Sequence, residues 1–198
     1  MVTQSSCFKL PERTNGAYQH PDLQIAHSRQ YQGNTWDITK TILTKKNQLF
    51  LPIYLFRESL NFLRSGKTVY NEHGKRLPRT TINDLLNEIY EQREPYRAEW
   101  LGAKFTQKKD GMYITHLVFD TKGRPQEKTE QLDLNTLMGD KLPGIDLNDW
   151  LKRAATPQGL PTEKIKEGSL WYWVPRDGTV AGFCASLVCG GNPQSSDS

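Results

Sequence analysis

The stretch WLGAKFTQKKDGMYITHLVF, residues 100–119, decides the fold class. Apolar and polar residues alternate along most of it, which is the period of a β-strand, and Lys109-Asp110-Gly111 interrupts the alternation with a hairpin signal. After this turn the residues divide between two strand faces: Tyr113, Thr115, Leu117 and Phe119 on one, and Ile114, His116 and Val118 on the other. The pattern predicts an antiparallel hairpin.

Upstream of Pro95 the apolar residues recur at helical spacing instead. The first predicted helix spans residues 53–65, and Gly66 supplies a left-handed stop. The second predicted helix spans residues 82–93 and is preceded by Thr81 as its N-cap. Each helix has one apolar face, so each must pack against another element.

Downstream of the hairpin the sequence continues with short elements. We predict a polar strand at 127–133, a helical turn at 146–153 and two final strands at 169–174 and 179–188, joined by a tight turn at Asp177-Gly178. Two helices followed by antiparallel hairpins predict the α+β class, with the helices packed on the hairpins.

The first 35 residues are polar and lack a hydrophobic period. We interpret residues 1–35 as a polar N-terminal arm in which no fold can be predicted. Residues 36–198 are then one domain, which is long enough to bury its core without a disulfide or a metal.

The charge balance does not favour a nucleic-acid-binding protein. The chain has 26 basic and 22 acidic residues, and its small basic doublets are scattered rather than clustered in a stripe. No apolar run comes close to the length of about 20 residues that a membrane-spanning helix needs. No secretory signal is visible at the amino terminus.

Catalytic and metal-binding patterns are also missing from the sequence. The four histidines, among them His116 on the predicted strand, have no second ligand at metal-binding spacing. We therefore interpret His116 as a core or surface residue. Glu127, Glu130 and Asp133 recur along a polar strand and are interpreted as a solvated face. The sequence predicts a protein that is not an enzyme and holds no cofactor or metal.

The composition changes sharply near the carboxyl terminus. Residues 177–198, the terminal segment, contain no Lys, Arg, Glu, Met or Trp and consist mainly of small residues. A flexible tail would explain small polar residues. Val180, Phe183, Leu187 and Val188 are too apolar for such a tail, which indicates a segment attached to a folded surface.

The run Gly168-Ser169-Leu170-Trp171-Tyr172-Trp173-x-Pro175, followed by Val180-Ala181-Gly182-Phe183-x-Ala185, resembles the end of the variable proteins of diversity-generating retroelements. Pro95-Tyr96-Arg97-Ala98-Glu99-Trp100-Leu101 and residues 134–160 are similar to archaeal and viral members. The resemblance covers about residues 36–198. It implies a C-type-lectin fold whose last part is rewritten by adenine-directed mutagenesis. The family's closing Gly-Phe/Val-Arg strand does not occur here.

This resemblance implies a ligand-binding display protein that recognises varying protein or cell-surface ligands in host attachment. It also implies presentation in several copies, as a homo-oligomer or on a virion, with a location at a virion or cell surface. Seven residues are the expected ligand contacts: Tyr172, Arg176, Asp177, Phe183, Ser186, Asn192 and Ser195.

Two alternatives stay open. Trp171 and Trp173 on a strand would suit a nucleic-acid-binding module, although tryptophans more often fill the core. Cys184 and Cys189 are separated like the cysteine pair of formylglycine-generating thiol oxidases, which have a lectin-like fold. The Arg- and Trp-rich motif that surrounds that pair in those enzymes is missing.

The reactivity of the two thiols distinguishes a binding protein from such an oxidase. No Arg, Lys or His lies within seven residues of either cysteine to stabilise a thiolate. We therefore expect the double variant Cys184→Ser/Cys189→Ser to stay folded and soluble. Thiol alkylation followed across pH should give an apparent pKa near about 8.5. A value well below about 7 would support the oxidase instead.

Overall fold

The structure is a computed structural model that describes residues 7–27, 34–90, 98–136, 147–162, 171–172 and 180–184. These residues form seven strands and four helices: β1 (Cys7–Leu10), β2 (Leu23–Ala26), α1 (Trp36–Lys45), α2 (Ile53–Arg64), α3 (Arg79–Tyr90), β3 (Ala98–Lys108), β4 (Gly111–Phe119), β5 (Pro125–Gln131), α4 (Leu147–Lys152), β6 (Trp171–Tyr172) and β7 (Val180–Cys184). The protein is α+β, as the sequence predicts.

The main sheet has five strands in the order β5-β4-β3-β7-β6, and every neighbouring pair is antiparallel. β3 and β4 form the predicted hairpin, with Lys108 opposite Gly111 and Phe105 opposite Ile114. β6 and β7 pair antiparallel as predicted, while their turn at Asp177-Gly178 lies outside the described residues. β5 and β6 are the two edges of the sheet.

One face of the sheet packs on α2 and α3. Ile114, His116 and Val118 are buried on this face of β4, which confirms the alternation of the strand. α2 contributes seven buried residues, among them Leu60 and Leu63. The helix ends where Gly66 takes a φ of +77°, the left-handed conformation expected there.

The start of α3 differs from the prediction. The helix begins at Arg79, and Ile82 N–H donates to the Pro78 carbonyl at 3.2 Å. Thr81 therefore lies inside the first turn and is not the N-cap. Pro78 takes the N-cap position instead, because its carbonyl accepts the first intrahelical hydrogen bond three residues earlier than the sequence predicts.

α1 was not predicted, because only Trp36 and Thr39 of its ten residues are buried and no apolar stripe marks it. Trp36 Nε1 donates to the Leu101 carbonyl at 2.9 Å, and Gly102 N–H donates to the Leu51 carbonyl at 2.9 Å. The pairing of β3 with β7 shifts register in this same stretch, between Trp100 and Lys104. Backbone groups of β3 that leave the ladder are thus satisfied by Trp36 of α1 and by Leu51.

Part of the segment interpreted as the N-terminal arm is folded in the residues that the structure describes. Residues 7–26 form a two-stranded antiparallel sheet, in which Cys7 pairs with Ala26 and Leu10 with Leu23. Phe8 is buried in the main core, and Leu10 is buried in a second cluster beside α2. These segments were missed because each strand is four residues long, too short for a period to emerge. The boundary proposed at residue 36 stays a prediction.

The loop after α4 is tied to the start of α2. Trp150 Nε1 donates to the Gly159 carbonyl at 2.9 Å, and Gly159 N–H donates to the Thr156 carbonyl at 2.8 Å. Gly159 has a φ of +89°, and a Cβ atom there would lie 2.7 Å from Tyr54 Cα. Only glycine allows both this conformation and this contact.

Gly159→Ala and Gly66→Ala form a matched pair, because both glycines have positive φ but a Cβ at Gly66 would meet nothing within 4 Å. We expect Gly66→Ala to lower the free energy of unfolding by about 1 kcal/mol through backbone strain alone. Gly159→Ala should lower it by about 3 kcal/mol or more, because the loop must also move away from α2. Urea unfolding measures both, and equal losses would show that the contact with Tyr54 is not tight.

Candidate functional site

The site begins with one inward-facing carboxylate on an edge strand. Most of β5 is exposed, but Glu130 lies opposite the buried Ile114 and therefore on the inner face of the sheet. Its side chain is 18% exposed, against 61% for Glu127 on the same strand. The expectation that Glu130 belongs to a solvated face is therefore wrong, because the register of β4 and β5 turns it inward.

Four donors converge on this carboxylate. Oε1 accepts hydrogen bonds from Tyr18 Oη–H, from His116 Nε2–H at 3.2 Å and from Gln158 Nε2–H at 3.0 Å. Lys128 Nζ forms an ion pair with Oε2. Three of the four donors come from outside β5: the N-terminal segment, β4 and the loop after α4. We call these five residues the Glu130 network.

Burial and the four donors act in opposite directions on the pKa of Glu130. Burial raises the pKa, but the hydrogen bonds from Lys128, Tyr18 and Gln158 outweigh it and lower the value from 4.5 to about 2. Burial and the nearby carboxylate of Glu130 raise the pKa of Tyr18. At neutral pH the network therefore holds an ionised carboxylate and a neutral phenol that donates to it.

His116 is a core residue, one of the two placements that the sequence leaves open, and it is 2% exposed. Burial lowers its pKa below 6.5, and the carboxylate of Glu130 offsets part of that effect. The neutral ring must carry its proton on Nε2 to donate to Glu130. Its Nδ1 lone pair and the hydroxyl of Tyr54 are buried, and within the described part of the chain neither has a hydrogen-bond partner.

A second carboxylate lies on α2, beside the same N-terminal segment. Glu58 Oε2 is 2.6 Å from Arg13 Nη1, and its Oε1 is 3.1 Å from His20 Nε2. Arg13 also donates through Nη2 to the Tyr18 carbonyl at 2.6 Å. Residues 13–20 are thus held on one side by the contacts of Arg13 and His20 with Glu58 of α2, and on the other by the hydrogen bond from Tyr18 to Glu130.

The rings of Tyr18 and Tyr54 fill the space between the two carboxylates. Their centroids are 4.8 Å apart, and Tyr18 meets His116 edge-on at 5.2 Å. Burial raises the pKa of Tyr54. The arrangement can bind and hold an anion, because its donors converge on one point and its aromatic walls keep most water away.

The structure describes two of the seven expected ligand contacts. Tyr172 in β6 lies directly opposite Phe183 in β7. The other five lie outside the described residues: Arg176, Asp177, Ser186, Asn192 and Ser195. Across the described ranges, no cluster of three or more His, Cys, Asp or Glu residues could hold a metal ion. No helix in that part of the chain is long and apolar enough to cross a bilayer.

Neither a protein-family model nor a curated protein nor a solved structure matches this chain.

Acid should destabilise the protein in two steps. The folded-state pKa of His116 lies below 6.5, so the unfolded chain binds that proton first and stability declines as the pH falls below 6.5. The stabilisation from Glu130 is present above pH 4.5 and is lost as the pH falls toward 2. Allowing for its partial exposure, we expect this loss to be on the order of 2 kcal/mol. Urea unfolding between pH 8 and 3 measures both steps.

Two variants test whether Glu130 causes the loss of stability below pH 4.5. Glu130→Gln should be less stable than the wild type at pH 7 and should lose the decline below pH 4.5. Glu127→Gln is the matched control, because Glu127 is exposed and pairs with the exposed Lys40 across 2.7 Å. It should follow the wild type. A wild-type pH profile in Glu130→Gln would show that the network does not hold Glu130 ionised.

Proposed function

We propose that this chain is a ligand-binding display protein and not an enzyme, with a C-type-lectin-like scaffold that presents the terminal segment to protein or cell-surface ligands. The observation that supports it best is the position of β7. This strand pairs with β3 on one side and with β6 on the other, so the terminal segment is anchored in the sheet near its start. Substitutions beyond β7 can then change a surface without disturbing the core.

The position of the expected contacts supports the same proposal. Tyr172 and Phe183 are opposite each other in the two strands at one edge of the sheet. The pair thus lies where the described sheet meets the terminal segment, which suits recognition of a large ligand. The absence of Lys, Glu, Met and Trp from residues 177–198 agrees with adenine-directed rewriting of the codons there. Attachment of a virion or cell to its host would be the biological role.

Tolerance to substitution tests whether the terminal segment is separate from the core. We expect Ser186→Tyr, Asn192→Tyr and Ser195→Tyr each to change the free energy of unfolding by less than about 0.5 kcal/mol. Phe105→Ala is the core comparison, because Phe105 is 0% exposed, and should cost about 3–5 kcal/mol. Denaturant unfolding measures both classes. Losses of several kcal/mol in the terminal segment would place it in the core and contradict the proposal.

Selection from a library tests recognition itself. The seven contact positions would be randomised together, displayed on phage and selected against two unrelated proteins, lysozyme and streptavidin. The control library randomises four exposed positions at the opposite edge of the sheet: Gln126, Glu127, Thr129 and Gln131. We expect folded binders specific for each target from the first library at a frequency at least about tenfold higher, because only that surface is built for variation. Equal frequencies would refute the proposal.

A further inference from the structure

We infer that Tyr18, His116, Gln158 and Lys128 form a binding site for a small monocarboxylate, and that Glu130 is its built-in occupant. None of these residues belongs to the terminal segment, and the inference does not depend on the proposed function. Its ligand chemistry follows from the donor set: three hydrogen bonds to one oxygen and an ammonium group at the other.

The three buried donors are held in place by contacts that do not involve Glu130. Arg13 fixes the backbone at Tyr18, whose ring also packs on Tyr54. His116 lies in the centre of the sheet, paired on both sides by β3 and β5. A site whose donors are positioned beforehand can bind an anion without first ordering its own side chains.

Gln158 is positioned by its own tight loop. Thr156 N–H donates to the Leu160 carbonyl at 2.8 Å, and Leu160 N–H donates to Thr156 Oγ1 at 3.1 Å. Gly159, the next residue, packs against the start of α2. The amide of Gln158 is therefore presented to the site by a loop that Glu130 does not touch.

Solvent reaches the site at its outer end. The side chain of Lys128 is 49% exposed, whereas His116 and Gln158 are 2% and 5% exposed. The ammonium group thus lies at the entrance and the uncharged donors form the floor. A small anion can enter beside Lys128, whereas a bulky one would meet the rings of Tyr18 and Tyr54.

Replacing Glu130 by alanine removes a carboxylate and one methylene group, the atoms that acetate carries. Acetate should therefore bind to the Glu130→Ala variant and restore the contacts. At about ten times its dissociation constant it should lower the unfolding equilibrium constant about tenfold and raise the Tm by about 3–6 °C. The experiment is a thermal unfolding titration at pH 7.5 with sodium acetate, against sodium chloride at equal ionic strength.

Three controls make the result specific. The wild type and Glu127→Ala should respond equally to acetate and chloride, because in both the site is already occupied. Glu130→Gln fills the site with an uncharged side chain of the same shape and should likewise not respond to acetate. Benzoate should not restore Glu130→Ala, because the ring does not fit between the aromatic walls.

Hydrogen exchange of the backbone amides shows which part of the protein acetate stabilises. In Glu130→Ala the amides of residues 7–26 should exchange faster than in the wild type, and acetate should slow them again, because Tyr18 joins that segment to the site. Equal stabilisation by acetate and chloride would overturn the inference, as would equal responses of Glu130→Ala and Glu130→Gln. The inference would also be overturned if the Glu130→Ala variant folded in neither salt, because free acetate would then have failed to replace the side-chain carboxylate of Glu130.

Discussion

The ionised, mostly buried carboxylate of Glu130 is the constraint that joins the parts of this protein. A buried charge is tolerated when donors surround it, and here those donors come from the N-terminal segment, strand β4, the loop after α4 and β5 itself. Glu58 on α2 is in turn contacted by Arg13 and His20. Removing Glu130 would leave the donors of Tyr18, His116 and Gln158 buried without this acceptor, which costs more than losing the hydrogen bonds themselves.

The sequence predicts the parts of the fold that have a clear period. β3, β4 and α2 could be predicted because their apolar residues recur regularly and because Asp110-Gly111 and Gly66 mark their ends. α1 could not be predicted, because its contacts with the sheet are made by the indole of Trp36 and by two charged side chains, Asp37 and Lys40. The C-type-lectin-like architecture goes beyond what the α+β class establishes and stays a proposal.

The Glu130 network could not be predicted for a different reason. Tyr18 and Glu130 are 112 positions apart, and no local pattern indicates that they meet. One signal was present: the alternation of β4 places His116 on the same face as Ile114 and Val118. A histidine on a buried face needs a polar partner. The alternation does not identify the polar partner of His116, because the partner depends on the register between β4 and β5. Only the folded sheet defines that register.

The inward turn of Glu130 also bears on how β5 keeps its place in the sheet. β5 is an edge strand of seven residues in the sheet that the structure describes, and an edge strand can pair with a strand of another chain. A slip of one residue along β4 would bring Thr129 or Gln131 to the three donors outside β5, and it would move the side chains of Glu130 and Lys128 to the outer face. Glu130 therefore fixes the register of the strand. Sliding of β5, or its displacement by a foreign strand, would leave buried donors without their carboxylate, so the inner face of this edge strand disfavours mispairing.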